Sequence, residues 1–248
     1  MQQWKHNERA SEPEIFDEKV RAVCECYAQA QQLRDEQGVH VISTDEKTSI
    51  QALERLHPPL PMQPGKRSRE LQEYEYIRHG TRCLIANFEV ATGRIIAPSI
   101  GQSRTNEDFA SHIEKTIATD PDAGWVFVVD QLNIHQSEML VKLVAKELGI
   151  ELALDGKGDL KLMKAMASRR TFLADPAHRI RFVYTPKYSS WLNQIELWFS
   201  ILARRLLKRS NFTSVEDLHR CILEFVEYFN RTMAKPFKWT YKGRPLQV

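Results

Sequence analysis

The chain has 248 residues, 42% of them hydrophobic and 27% charged, with a formal net charge of +3 at pH 7. Such a composition is expected of a soluble globular protein with one sizeable core and at most a small appendage. No apolar run approaches the roughly 20 residues that cross a bilayer, the first residues lack the apolar stretch of a secretory signal, and Cys24, Cys26, Cys83 and Cys221 show no paired spacing, which favours reduced thiols in a cytoplasmic protein over zinc.

Pro13 to about Gln37 carries Ile15, Phe16, Val20, Val23, Cys24 and Tyr27 at helical spacing, which predicts one helix. It does not make a helix-turn-helix, which needs two or three short helices around a turn. Val39 to Asp45 predicts the first strand, ended by Asp45, and a proline-rich, basic loop follows from Pro58 to Ser68. Thr81–Val90 and Arg94–Ile100 predict two strands joined by a hairpin turn at Ala91, Thr92 and Gly93.

Thr105 to Thr119 predicts a helix with Thr105 as N-cap and Phe109, His112, Ile113, Thr116 and Ile117 on one side. Asp120 to Gly124 breaks it before a strand, Trp125–Asp130, that ends on a second aspartate. Ser137–Leu148 is a further helix, stopped by Gly149. Residues 151 to 178 read as an insertion, with a flexible turn at Gly156–Gly158 and a short basic helix from Leu160 to Phe172. Ile180–Pro186 is the last strand, followed by an apolar helical segment that Glu196 opens. The order predicts an α/β fold: a mixed five-stranded sheet flanked by helices, with an N-terminal helix and a C-terminal helical segment.

If the strands ending in Asp45 and Asp130 are parallel neighbours, both carboxylates emerge at one sheet edge, where Glu196 can join them. Three such groups repel and raise one another's pKa unless a divalent cation, which takes oxygen ligands, neutralises them. Two such ions activate an attacking oxygen and stabilise the leaving one in displacement at phosphorus. Strand alternation puts Val41, Ser43 and Asp45 on one face and Ile42, Thr44 and Glu46 on the other, so only one of Asp45 and Glu46 faces the site. Asp45 is favoured, with Glu46 a surface charge beside Lys47.

Each residue also has a plainer explanation. Asp130 can cap the turn after its strand, Asn193 and Glu196 fit the N-cap and N3 positions of a capping box, and His135 can be a local hydrogen-bonder. Ile195, Trp198, Phe199, Leu202 and Leu206 form a buried stripe, with Arg204, Arg205, Lys208 and Arg209 mostly off it. Further basic clusters lie at Lys66–Arg69, Arg169–Arg170 and in the tail from Lys235 to Arg244; Lys157, between two glycines, matches no full phosphate-binding motif.

The segments Ser43–Lys47, Val128–His135 and Tyr184–Phe199 resemble the three motifs of bacterial insertion-sequence transposases of the six-thirty group, relatives of mariner elements, and the resemblance runs from about Pro13 to Tyr241. It implies an RNase H-like DDE transposase with Asp45, Asp130 and Glu196 as catalytic residues and ligands of two Mg²⁺ or Mn²⁺ ions. Such enzymes cut element ends by water attack and join the freed 3′-OH to target DNA, commonly at TA dinucleotides. The organisation expected is an N-terminal helical segment at 1–38, an RNase H-like catalytic domain at 39–210 with the insertion at about 151–178, and a C-terminal helix and basic tail at 211–248.

His135 and Asn193 are expected to support the site, and Lys47, Arg204, Arg205 and Lys208 to meet DNA. The partners implied are element-end and target DNA, with a homodimer and a separate N-terminal helix-turn-helix polypeptide left open, no membrane, and a nucleoid-associated location. Two departures from the family pattern stand out: Gln131 follows Asp130 where many relatives carry Asn, Asn133 coming two later, and 66 positions separate Asp130 from Glu196, more than in mariner-like relatives. The alternatives are a nuclease or resolvase that cuts without joining, and a truncated, inactive remnant that serves as a DNA-binding or interaction module.

Overall fold

The structure is a computed structural model that describes residues 12–58, 60–69, 71, 74–151 and 165–241. Helix α1 (Pro13–Gln37) starts on a proline, whose missing N–H would have lacked an intrahelical partner anyway, and stops at Gly38 in the left-handed conformation with φ 63°. The expected apolar stripe is buried from Phe16 through Val20, Val23, Cys24 and Tyr27 to Ala30, whereas Ile15 is exposed.

Strand β1 (Val39–Arg55) is longer than expected and does not end at Asp45. From Val39 to Ser43 it lies parallel to β4 (Gly124–Val129); it then continues to Arg55 as one arm of an antiparallel ribbon with β2 (Tyr76–Glu89). The β2 ladder runs along the edge of β1 opposite to β4 and continues to Arg55, so the strand goes on past the end of its β4 pairing. A register shift between Lys47 and Ile50, with Ser49 at φ 56°, marks a bulge that bends the strand just past the acidic pair. With β3 (Ile95–Gly101) and β5 (Ile180–Tyr184) the sheet order is β3-β2-β1-β4-β5, antiparallel on the β2–β3 side and parallel on the β4–β5 side.

Helices cover both faces, so each face of the sheet carries its own core. α2 (Asn106–Ile117) begins in a capping box between Thr105 and Asp108, and α3 (Glu138–Leu148) is capped by Ser137 and closed by Gly149. These two pack on Ile42, Ile85, Trp125, Phe127 and Phe182. On the other face α1, α5 (Ile195–Leu202) and α6 (Val215–Thr232) bury Val41, Leu84, Phe88, Val126 and Val128. Each large side chain so buried contributes about 1.5–3 kcal/mol. α4 (Met166–Leu173) covers the end of the basic helix expected from Leu160; the start of that helix and the Gly156–Gly158 turn with Lys157 lie outside the described residues. Among the described residues, no helix is long and apolar enough to cross a membrane.

After α6 the chain runs extended across the α1 face, with Phe237, Trp239 and Tyr241 packed inward and Lys238 and Thr240 outward. It passes over the β2–β3 hairpin at Gly93, where φ is 73° and a Cβ would overlap the backbone of Lys235. Gly93→Ala is therefore expected to cost at least about 2 kcal/mol, from the left-handed conformation and the forced separation of the two backbones together. Thermal melts should show a fall of several degrees; an unchanged melting temperature would refute this account of the hairpin.

Candidate active site

The centre of the site follows from strand register. Val39 to Ser43 pair in step with Gly124 to Val128, and the same register carried two residues further sets Asp45 beside Asp130, the residue that follows β4. Asp45 is buried, and its carboxyl is pushed up to about 7, first by that burial and then by the charges of Glu46 and Asp130.

Glu46 corrects the expectation of a surface charge. Its side chain has no solvent exposure and meets His135 Nε2 at 2.8 Å, with Arg104 at 3.4 Å from its other oxygen. The strand is covered on both faces here, so the alternation that turns Asp45 toward one layer turns Glu46 into the other. His135 lies in a short 3₁₀ turn, Asn133–Gln136, and its Nδ1 is 2.8 Å from Asp130 Oδ1. Burial would lower the pKa of this ring, but the bonds to Asp130 and Glu46 outweigh it and push it up to about 10. His135 is thus an imidazolium held between two carboxylates, with Phe109 beside it and the Tyr184 hydroxyl donating to its carbonyl. Burial likewise would raise Asp130; the His135 contact and the Leu132 N–H hold its carboxyl below the usual range.

Asn193 does not cap α5. The helix starts at Ile195 with Gln194 at the N-cap and no side-chain cap, so Glu196 is not in a capping box. The Asn193 amide instead points inward: it donates to the Thr44 carbonyl at 2.9 Å and to Asp45 Oδ2 at 3.3 Å, and its oxygen accepts from the Ser43 hydroxyl. That hydroxyl also accepts from Ile195 N–H at 2.9 Å, which pins the start of α5 to β1. Bonds to strand groups outcompete local capping because Asn193 is fully buried. Glu196 sits half-buried on the first turn of α5; among the described residues no three acidic, histidine or cysteine side chains form a group able to hold one ion.

Gln131 has a structural role, donating to the Thr185 carbonyl at 2.7 Å and accepting from Arg170. Asp130, Gln131 and Thr185 line a cleft of about 310 Å³ with Lys187 to Ser190. The buried Thr185 hydroxyl there has no partner among the described residues. Lys47, on the Asp45 face, lies 5.8 Å from the centre of the Phe199 ring. Arg204, Arg205 and Lys208 are exposed on and after a π-helical turn, Ala203–Leu207, that prolongs α5. Sequence reasoning missed Glu46, Arg104, Ser43 and Tyr27, whose hydroxyl bonds the Leu192 carbonyl; the apolar and small neighbours Ile42 and Thr44 on the Glu46 face were the one available signal for Glu46.

The structure is an α/β domain whose mixed sheet sets Asp45, within β1, beside Asp130, just after the parallel strand β4. The chain belongs to the DDE superfamily endonucleases, which it matches over residues 40–219. Among solved structures, the Mos1 mariner paired end complex with Mn is 11% identical, with 92% of this chain and 58% of that one covered and a TM-score of 0.52. A pre-cleavage Mos1 transpososome is 12% identical, with 93% and 61% covered and a TM-score of 0.51. The likeness is one of fold, and the chain spans only about three fifths of those proteins. No curated protein sequence matches it.

The donors present suit a hard divalent cation: adjacent carboxylate oxygens, of which Asp45 accepts from the Asn193 amide and the Glu46 N–H but has no cationic partner within bonding distance among the described residues, and the Thr185 hydroxyl, unpartnered among those residues, in the adjoining cleft.

Glu46→Gln is expected to destabilise the metal-free protein by about 3 kcal/mol at pH 6, because it leaves a buried imidazolium one carboxylate short. His135 titrates higher folded than unfolded, so its stabilisation is complete below about 6.5 and fades as pH rises toward about 10. The gap between variant and wild type in denaturant titrations should therefore narrow from pH 6 to pH 10. A gap independent of pH would show that His135 is not charged.

Proposed function

We propose that this chain is the catalytic domain of an insertion-sequence transposase of the six-thirty group, which cleaves DNA strands and transfers the freed 3′ ends into target DNA. The observation that carries the reading is the β1–β4 register, which sets Asp45 beside Asp130 while the Asn193 amide reaches Asp45 from the turn that leads to Glu196. Asp45, Asp130 and Glu196 hold Mg²⁺ or Mn²⁺ in this reading, and the ions, when bound, activate the attacking oxygen and stabilise the leaving one. His135 orients Asp130, Asn193 orients Asp45, and Lys47, Arg204, Arg205 and Lys208 face the phosphates. Residues 39–210 form the catalytic domain, with 1–38 and 211–248 as the helical segments that flank it.

The test uses a supercoiled plasmid and a short duplex with a free 3′-OH, in Mg²⁺ or Mn²⁺. The wild-type chain should nick the plasmid and join the duplex to it only when the metal is present. Asp130→Asn and Glu196→Gln should each lose at least about a hundredfold in both steps, and Glu196→Gln, which takes no carboxylate from His135, should do so while melting within a few degrees of wild type. Nicking without joining would favour a nuclease or resolvase; full activity of either variant would refute the metal site.

Replacing Arg204, Arg205 and Lys208 together by alanine should weaken binding to any duplex. It should flatten the plot of log affinity against log salt by roughly 0.9 for each phosphate that is no longer neutralised. A slope equal to that of wild type would place the DNA elsewhere.

A further inference from the structure

α1 and the extended tail after α6 lie outside the stretch that matches the endonuclease family, yet both reach the turn that carries the third acidic group. The Tyr27 hydroxyl, fully buried, donates to the Leu192 carbonyl at 2.9 Å and accepts from the Gln194 N–H at 3.4 Å. These two bonds bracket Asn193, the residue that touches Asp45. The Tyr27 ring is itself held edge-on by Trp239, with centroids 5.2 Å apart. On either side of Trp239, Phe237 stacks on Phe88 at 4.5 Å, and Tyr241 packs edge-on against Trp191 at 5.1 Å, one residue before Leu192. The tail is a strap whose inward aromatics at alternate positions clamp α1, β2 and the 3₁₀ turn Ser190–Leu192 together.

We propose that Tyr27, held in place by Trp239 of the C-terminal strap, is a positioning residue for the turn Leu192–Glu196 and thereby sets where Asn193 and Glu196 stand relative to Asp45. The inference rests on the metal-site reading of Asp45, Asp130 and Glu196. The backbone bonds within the turn are short-range, Asn193 N–H to Ser190 and Glu196 N–H to Asn193; Ser43 and Thr44 hold it from the β1 side, and the Tyr27 hydroxyl holds its Leu192 carbonyl and Gln194 N–H from the α1 side. Removing the hydroxyl leaves the buried Leu192 carbonyl without that partner and the turn anchored from the β1 side alone.

Three variants of the full chain separate positioning from simple support. Tyr27→Phe keeps the ring against Trp239 and removes only the hydroxyl; Trp239→Ala loosens the strap and keeps the hydroxyl. Val23→Ala, one turn earlier on α1, removes core volume from the same helix at a residue with no bond to the turn. Two quantities are measured beside the melting temperature: hydrogen exchange of the Gln194 and Ile195 amides without metal, and the affinity for Mn²⁺ alone, by electron paramagnetic resonance.

Tyr27→Phe and Trp239→Ala should speed that exchange and weaken Mn²⁺ binding by about fivefold to tenfold, the scale set by one buried hydrogen bond. Val23→Ala should lower the melting temperature and leave both quantities alone. Unchanged exchange and Mn²⁺ affinity in Tyr27→Phe would overturn the proposal, as would equal effects from Val23→Ala. A wild-type chain that takes up no Mn²⁺ would sink the metal-site reading, and the exchange measurement would still decide whether Tyr27 holds the turn.

Discussion

The parallel pairing of β1 with β4 is the constraint on which the site depends. Side chains alternate along a strand, so a slip of one residue in that pairing would turn Asp45 into the layer of α2 and α3 and bring Glu46 to the Asn193 side. Two separate cores make such a slip expensive: Val41 is buried against one helical layer and Ile42 against the other, so every slipped register would place side chains in pockets shaped for their neighbours. The antiparallel ribbon with β2 adds a second lock on the same strand, and the bulge after Lys47 then lets the strand bend away without disturbing the acidic pair.

Charge around that pair is divided unevenly, and the division is informative. His135 carries one positive charge between Asp130 and Glu46, and Arg104 approaches Glu46 from outside. A buried charge triad of this kind is weak evidence for stability, because desolvation offsets most of the attraction; holding one geometry is the better explanation for it. Among the described residues Asp45 has no such cation within bonding distance, only the Asn193 amide and the Glu46 N–H, and its pKa is raised. The Asp45 face is the one that α5 covers, and it also carries Lys47, against Phe199 of that helix.

That face also carries the segments that lie outside the matched stretch 40–219. α1 and the aromatic strap share the core of β1, β2, α5 and α6, so they belong to the packing that supports the site. The other face, with α2 and α3, is organised around Phe109, Trp125, Phe127 and Phe182, and His135 and Glu46 lie where it meets Asp130. One layer thus supplies the turn bearing Asn193 and Glu196, and the other supplies the cation that orients Asp130.

Much of this was legible locally. The helical stripe of α1, the Thr105 and Ser137 caps, the Ala91–Gly93 hairpin and the aspartate after β4 each depend on residues within a few positions of one another, and periodicity or turn chemistry reports them directly. The order of strands and helices then led to a mixed five-stranded sheet, and the structure has one. What local pattern misread were the places where a distant segment competes for the same group. β1 runs past Asp45 because β2 pairs with its other edge as far as Arg55, Glu46 is buried because a second helical layer covers its face, and Asn193 leaves the helix start because a strand carbonyl and Asp45 hold it more firmly than a cap would. Residue types and their spacing decided which groups were present and which elements carried them; the tertiary fold alone decided which partners they bond, because Glu46 and His135 are 89 positions apart and Asn193 and Thr44 149, and such pairs meet only when both cores have closed.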